Sequence, residues 1–117
     1  MQPAPVKPEI SLDILELLDI RVGTIVSVNE VAASRKLMKL IVDFGDHRRT
    51  ILAGIKQERD EPREIEGCQA LFVLNLPALS MAGEVSEGML FDIGYSDDLV
   101  PVLAVPEARV PNGARAG

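Results

Sequence analysis

The stretch IRVGTIVSVN, residues 20 to 29, predicts the first strand of an all-β fold. Its even-numbered residues, from Ile20 to Val28, are apolar or β-branched and alternate with a second set that is mostly polar or small. This two-residue period is typical of a half-buried strand, and it predicts that the even-numbered set faces the core. Gly23 lies inside the strand and predicts a bend or bulge of the kind that curls a sheet towards closure.

The same alternation continues in two further segments. One set of alternate residues is Met38, Leu40, Val42 and Phe44, and a second, apolar after its first member, is Arg49, Ile51, Ala53 and Ile55. The turn sequence GDH at residues 45 to 47 separates the two runs. We therefore expect a three-stranded meander whose apolar side chains face the core.

The second half of the chain predicts a helical turn and further strands. Pro62 opens a single turn that Gly67 closes, within a polar interval. Residues 70 to 75 form an almost continuous apolar run, as in a strand covered on both faces. Residues 88 to 93 and 100 to 105 are two more extended pieces. Three strands, a short helix and two more strands follow the element order of an OB-fold, so we predict a five-stranded all-β OB-fold barrel with a short N-terminal helix and a C-terminal extension.

The N-terminal region predicts a tail and one short helix. Residues 1 to 10 are rich in proline and have no periodic pattern, so we expect a flexible tail before a single domain over residues 11 to 117. Ser11 is a suitable N-cap for the helix LDILELL, which carries an apolar stripe. Neither a signal-peptide pattern nor an apolar run of about 18 residues occurs, and we expect a cytoplasmic protein that does not enter the membrane.

The chain lacks the residues that common catalytic sites need. His47 is the only histidine and lies in a predicted turn, which argues against histidine-based triads and zinc sites. Cys68 is the only cysteine, and its place at a strand entrance is typical of a small buried residue rather than a nucleophile. Neither standard spacing of a phosphate-binding loop occurs. We therefore expect a binding module with no catalytic residues, no metal and no cofactor.

The charge of the chain is unevenly distributed. The formal net charge of -6 argues against a general nucleic-acid binder, whose affinity rests on Lys and Arg. Residues 35 to 63, however, carry eight basic and five acidic side chains, a net charge of +3, whereas the segments before and after carry -3 and -6. This basic segment is either a binding face or solvated surface charge.

Seven segments carry a resemblance to a known family: LDIRVGTIV, LIVDFG, RRTILAGI, PREIEG, VLNL, MAGEVSEGML and VPNGARAG. In this order they resemble the tRNA-binding domain family. That family includes the C-terminal appendage of bacterial methionyl-tRNA synthetases, free-standing dimeric tRNA-binding proteins and a secretion-related chaperone of the CsaA type. The resemblance covers residues 12 to 117, and its most specific parts are DIRVG at 19 to 23 and SEGM at 86 to 89.

The resemblance implies a non-catalytic homodimer that recognises the outer corner of folded tRNA by shape. The family pairs through its N-terminal helix and C-terminal extension, so the expected interface residues are Ile14, Leu15, Leu18, Val110 and Pro111. The loop that contains SEGM lies beside the RNA-facing surface in the family. Together with the basic segment, the resemblance gives eight expected RNA-binding residues: Arg35, Lys36, Lys39, Arg48, Arg49, Asn75, Ser86 and Met89.

Two other functions stay open on the sequence. Family members that bind tRNA well typically carry basic residues after the Asn-Leu pair of the fourth strand, where this chain has NLPALSMAG at residues 75 to 83. The aliphatic Leu79, Met81 and Met89 and the acidic balance favour a CsaA-like chaperone that binds unfolded or preprotein segments in secretion. A third possibility is an adaptor that docks an aminoacyl-tRNA synthetase to other proteins.

Overall fold

The computed structural model describes residues 1 to 117 and consists mainly of strands. The strands are β1 (Ile20–Glu30), β2 (Met38–Asp43), β3 (Arg48–Ala53), β4 (Gln69–Val73), β5 (Leu79–Met81), β6 (Glu84–Ser86), β7 (Met89–Leu90), β8 (Asp92–Ile93) and β9 (Val102–Leu103). One antiparallel sheet has the order β3-β2-β1-β4-β7, and the pairs β5–β6 and β8–β9 form two short separate ribbons. The five-stranded sheet curls into a half-barrel beside one short helix, which confirms the predicted OB-like all-β fold.

The core lies inside the curled sheet. Phe44 and Phe72 meet edge to face at its centre, with ring centroids 5.5 Å apart. The inward face predicted for β2 is confirmed, because Met38, Leu40 and Val42 belong to the core cluster, as do Ile51 and Ala53 of β3. Leu52, on the opposite face of β3, is buried as well. The core cluster contains Ile25, Val28, Met38, Leu40, Val42, Phe44, Ile51, Ala53, Ile55, Ile65, Ala70, Phe72, Leu74 and Leu90.

A bulge in β1 overturns part of the predicted burial of its even-numbered residues: Val22 and Val28 are buried, but Val26 is not. The pairing register with β2 shifts just after Ile25. Ile25 and Val28 are therefore fully buried, whereas Val26 is exposed. Gly23 is not the bulge itself: a Cβ at this position would lie 2.5 Å from Val42 Cγ1, so the missing side chain makes room for the core.

The C-terminal segment completes the sheet beside β1. Beyond the end of β2, Val22 N donates to Ala114 O at 2.9 Å, and Gly113 N donates to Val22 O at 2.8 Å. Ala116 N donates to Ile20 O at 2.8 Å. Val22, whose backbone makes two of these bonds, is buried. The predicted C-terminal extension is thus an integral part of the fold.

The remaining helical turn and strands are of the predicted type, but their bounds differ from the predicted ones. The turn predicted after Pro62 is a 3-10 helix over Pro62–Ile65, and β4 is buried along most of its length. The single strand predicted over residues 88 to 93 is divided into β7 and β8, which pair with different partners. The loop expected around SEGM, residues 81 to 89, begins within the β5–β6 hairpin, whose turn places Ala82 at a φ of 51° and Gly83 at 79°.

The N-terminal helix is one turn long. Helix α1 spans Leu12–Leu15, and the Ser11 hydroxyl accepts a hydrogen bond from Ile14 N at 3.2 Å, as predicted for an N-cap. The helix ends earlier than the predicted LDILELL, and residues 16 and 17 form a turn. Residues 1 to 10 have no regular secondary structure and are exposed. None of the helices has the length and apolar character that a membrane-spanning segment requires.

Candidate nucleic-acid interface

Four of the expected RNA-binding residues are cations on the outer side of the β1–β2–β3 meander. Arg35 and Lys36 lie in the loop between β1 and β2, residues 31 to 37, and both are exposed. Lys39 and Arg48 are on the outer face of β2 and β3, because they alternate with the core residues Leu40 and Ile51 of the same strands. Four residues along β2, roughly 13 Å, separate the levels of Lys39 and Arg48. The cations therefore occupy both ends of one strand face.

Nearby carboxylates neutralise only part of this charge. Lys39 Nζ lies 3.5 Å from Glu84 Oε1 on the β5–β6 hairpin. Arg48 is opposite Asp43 in the strand register, but it forms no ion pair. Arg35 and Lys36 also form none. These three cations are consequently available to an anionic partner.

Arg49, in contrast, has an intramolecular role. Its Nη1 donates to Leu74 O at 3.0 Å and to Glu87 O at 2.9 Å, and its Nε donates to His47 Nε2 at 2.9 Å. Because Nε2 accepts, His47 carries its proton on Nδ1, which faces Asp46 Oδ1 at 2.6 Å. The guanidinium of Arg49 thus ties β3 to the end of β4 and to the loop before β7, and few of its donors remain for phosphate.

Ser86 and Glu87 join the two edges of the half-barrel. The Ser86 hydroxyl accepts from Leu52 N at 3.0 Å and donates to Gly88 O at 2.9 Å, and the residue is only 3% exposed. Glu87 N donates to Thr50 O at 2.8 Å, and Glu87 Oε1 accepts from Thr50 N at 2.9 Å. The SEGM segment therefore closes the seam between β3 and β7, with the Ser86 hydroxyl directed into the protein.

Replacing Ser86 with alanine is expected to destabilise the fold by about 1–3 kcal/mol, because Leu52 N would remain buried without an acceptor. Denaturant unfolding measures this loss. Ser80→Ala, at an exposed position of the same hairpin, is the matched control and should leave stability unchanged. Weaker RNA binding by Ser86→Ala with unchanged stability would instead identify the hydroxyl as a direct contact.

Asn75 also serves the fold. Its Oδ1 accepts from Asp19 N at 2.9 Å, and its Nδ2 donates to Leu17 O at 2.6 Å. These bonds fix the connection between α1 and β1 to the end of β4, and they occupy both ends of the amide.

Met89 remains on the surface, as do two aliphatic residues of the β5–β6 hairpin. Met89 pairs with Val73 in the sheet, yet 45% of the residue is exposed. Leu79 and Val85 of the adjacent hairpin are also about half exposed. An exposed thioether and two exposed aliphatic side chains thus occur in β5 to β7.

Arg21 and Arg115 share the carboxylate of Asp19. Asp19 Oδ1 lies 2.9 Å from Arg21 Nε and 3.4 Å from Arg115 Nε. The hydrogen bond from Arg21 lowers the pKa of Asp19, and the hydrogen bond from His47 lowers the pKa of Asp46. This part of the surface therefore contributes little free positive charge.

In two other carboxyl groups the pKa is shifted mainly by burial. Burial raises the pKa of Glu58 and of Asp92. Glu58 Oε2 is buried without a hydrogen-bond partner, and Arg59 Nη1 lies 3.7 Å from it. These carboxyls follow β3 and β7, and they belong to no group of residues suited to hold a metal ion.

Two residues that the sequence analysis did not single out support this face. Glu87 bonds to Thr50, 37 positions away, and Lys56 bonds to Ser34, 22 positions away. No local pattern distinguishes these side chains from solvated charges, because only the folded chain brings their partners near.

The expected dimer residues in and just after α1 are exposed beside a groove. Ile14, Leu15 and Leu18 are each exposed by 51 to 54%. A groove of about 690 Å³ lies between α1 and residues 115 to 117, and Leu15 and Leu18 line it. Val110 and Pro111 are outside the groove lining; Val110 exchanges backbone hydrogen bonds with the Gln69 side chain, and Pro111 is exposed.

Comparison with known proteins shows which family the chain belongs to. Residues 20 to 115 match the family model described as "Putative tRNA binding domain". The chain belongs to this family. It is 36% identical over 111 residues to the methionine–tRNA ligase of Clostridium acetobutylicum, an alignment that covers 94% of the chain and 17% of the ligase. The chain thus spans about a sixth of the length of that relative.

Solved structures of this fold resemble the whole chain. The "MetRS related protein" of Pyrococcus horikoshii is 33% identical, with a TM-score of 0.86, and the match covers 95% of this chain and 100% of that one. The chaperone CsaA of Bacillus anthracis is 27% identical, with a TM-score of 0.80, and the match covers 94% and 100%. The resemblance inferred from the sequence motifs is therefore confirmed.

Proposed function

We propose that the protein binds folded tRNA as a non-catalytic homodimer and recognises it by shape. Membership of the tRNA-binding domain family over residues 20 to 115 is the observation that carries this proposal. Exposed cations at the β1–β2 loop and at the start of β3 support it, because phosphate neutralisation supplies most of the affinity of non-sequence-specific RNA binding.

The few aromatic residues favour a structured RNA over a single strand. OB-fold proteins that bind single strands usually stack bases on aromatic side chains. Of the four aromatic residues here, Phe44 and Phe72 are in the core, which leaves Phe91 and Tyr95 partly exposed. Contacts of cations with phosphates and sugars fit a folded RNA surface better than base stacking does.

Binding of the purified protein to bulk tRNA, at low and at near-physiological salt, tests the proposal. An unstructured RNA of equal length is the control. We expect preference for folded tRNA and an affinity that falls with salt with a log–log slope of roughly -2 to -3, because about three cations are free to contact phosphates. Absence of binding at low salt would overturn the proposal, and suppression of client aggregation would then be measured to test the chaperone function.

A further inference from the structure

The loop between β1 and β2 carries two of the three unpaired cations of the interface. Its single serine closes it from inside: the Ser34 hydroxyl accepts from Lys36 N at 3.2 Å and from Leu37 N at 3.0 Å. Val31 anchors the start of the loop in the protein, with 3% of the residue exposed. Arg35 and Lys36 themselves project into solvent and make no side-chain contact that would hold the loop in place.

Lys56 holds this loop from outside. Lys56 N donates to Lys36 O at 3.0 Å, and its Nζ donates to Ser34 O at 2.9 Å. The same Nζ lies 2.6 Å from Glu30 Oε2 at the end of β1. One residue, which follows the buried Ile55, thus contacts the start, the middle and the end of the turn. Only 24% of the Lys56 side chain is exposed, so its ammonium group is directed to the loop.

We infer that Lys56 is a positioning residue that keeps the loop in the shape in which Arg35 and Lys36 meet RNA phosphates. This inference rests on the proposed tRNA binding. A loop that had to become ordered on binding would lose conformational entropy at that step, and this loss would lower the affinity. Because the loop is already ordered by Lys56, the two cations bind without this loss. Lys56 itself contacts no phosphate.

The Lys56→Met variant tests the inference with two readouts. The methionine side chain is also unbranched but cannot donate to Ser34 O or pair with Glu30, whereas the backbone N–H of residue 56 still donates to Lys36 O. In the free protein we expect amide exchange at Lys36 and Leu37 to accelerate at least about tenfold, because the loop opens more often. We expect tRNA affinity to fall about 3- to 10-fold with an unchanged salt slope, because the number of phosphate contacts stays the same. Lys7→Met in the N-terminal tail removes the same charge and should change neither readout.

Two results would overturn the inference. A salt slope that falls by about 0.9 would show that Lys56 contacts a phosphate directly. Unchanged exchange at Lys36 and Leu37 would show that the loop keeps its shape without Lys56. The exchange readout needs no RNA, so failure of the proposed tRNA binding is distinguishable from failure of this inference.

A milder second variant keeps the inference testable if Lys56→Met does not fold. Glu30→Gln weakens the ion pair with Lys56 at a residue that is itself exposed, and it should accelerate exchange at the same two amides to a smaller extent. No acceleration in Glu30→Gln, together with a Lys56→Met protein that does not fold, would count against the inference.

Discussion

Replacing Arg35 and Lys36 together with alanine is expected to lower tRNA affinity about 10- to 30-fold at near-physiological salt. The estimate follows from counterion release: each lost phosphate contact lowers the slope of log affinity against log salt by about 0.7 to 0.9, so two lost contacts lower it by about 1.4 to 1.8. Both side chains are exposed and free of ion pairs, so the fold should not suffer. Binding isotherms at several salt concentrations measure both quantities.

Two further variants make this result specific to the loop. Arg48→Ala removes one unpaired cation from the far end of the same strand face and should lower the slope by about half as much. Lys7→Ala removes a cation from the tail and should leave the slope unchanged. An unchanged slope in the double variant would assign Arg35 and Lys36 to solvated surface charge, which is the alternative that the sequence left open.

The sequence predicted those parts of the fold in which each buried residue has a local signature. In β2 the buried residues recur at every second position, and in β3 the core residues Ile51 and Ala53 keep this spacing, so the inward set could be read from the order of apolar residues. The turn between them and the 3-10 helix at Pro62 were equally accessible, because glycine and proline mark such positions through their own backbone preferences.

The errors in β1 have a physical reason. The buried residues of this strand do not follow one alternation: Ile25 and Val28 belong to the core cluster, and Val22 is buried outside that cluster. A bulge adds one residue between Ile25 and Val28 and changes the parity of the pattern. The bulge leaves no trace in the local alternation, so a single period placed Val26 in the buried set and Ile25 outside it.

For the interface, residue type alone could not distinguish residues free to contact RNA from residues that bond within the protein. Arg35 and Arg49 are both arginines in the basic segment, yet one is exposed and the other bonds to Leu74 and Glu87, which follow it by 25 and 38 positions. Ser86 and Asn75 are similar cases, because their partners lie far away in sequence. Among the eight residues named from the sequence, Arg49, Asn75 and Ser86 form hydrogen bonds within the protein that hold the surface in shape. The unpaired cations Arg35, Lys36 and Arg48 remain the direct RNA contacts that we propose.

The dimer that we propose should depend on the groove beside α1. This helix is a single turn with 51% of Leu15 exposed, and nothing in the chain covers its apolar side. A second copy would supply the missing contact area, and a two-fold axis would place the same side chains of both copies against one another. Burial of apolar area in this way stabilises association by about 25 cal/mol per Å² before the entropic costs of binding are subtracted.

Replacing Leu15 with glutamate is therefore expected to convert the dimer into a monomer, with a dissociation constant at least about 100-fold higher, because two unpaired carboxylates would be buried in the symmetric contact. Sedimentation velocity over a range of concentrations measures the change. Leu79→Glu introduces the same charge at a residue of similar exposure outside the groove, and it should leave the dimer intact. If the unmodified protein sediments as a monomer at every concentration, the proposed dimer is wrong. If Leu15→Glu and Leu79→Glu dissociate it equally, net charge rather than the groove controls assembly, since each copy already carries -6.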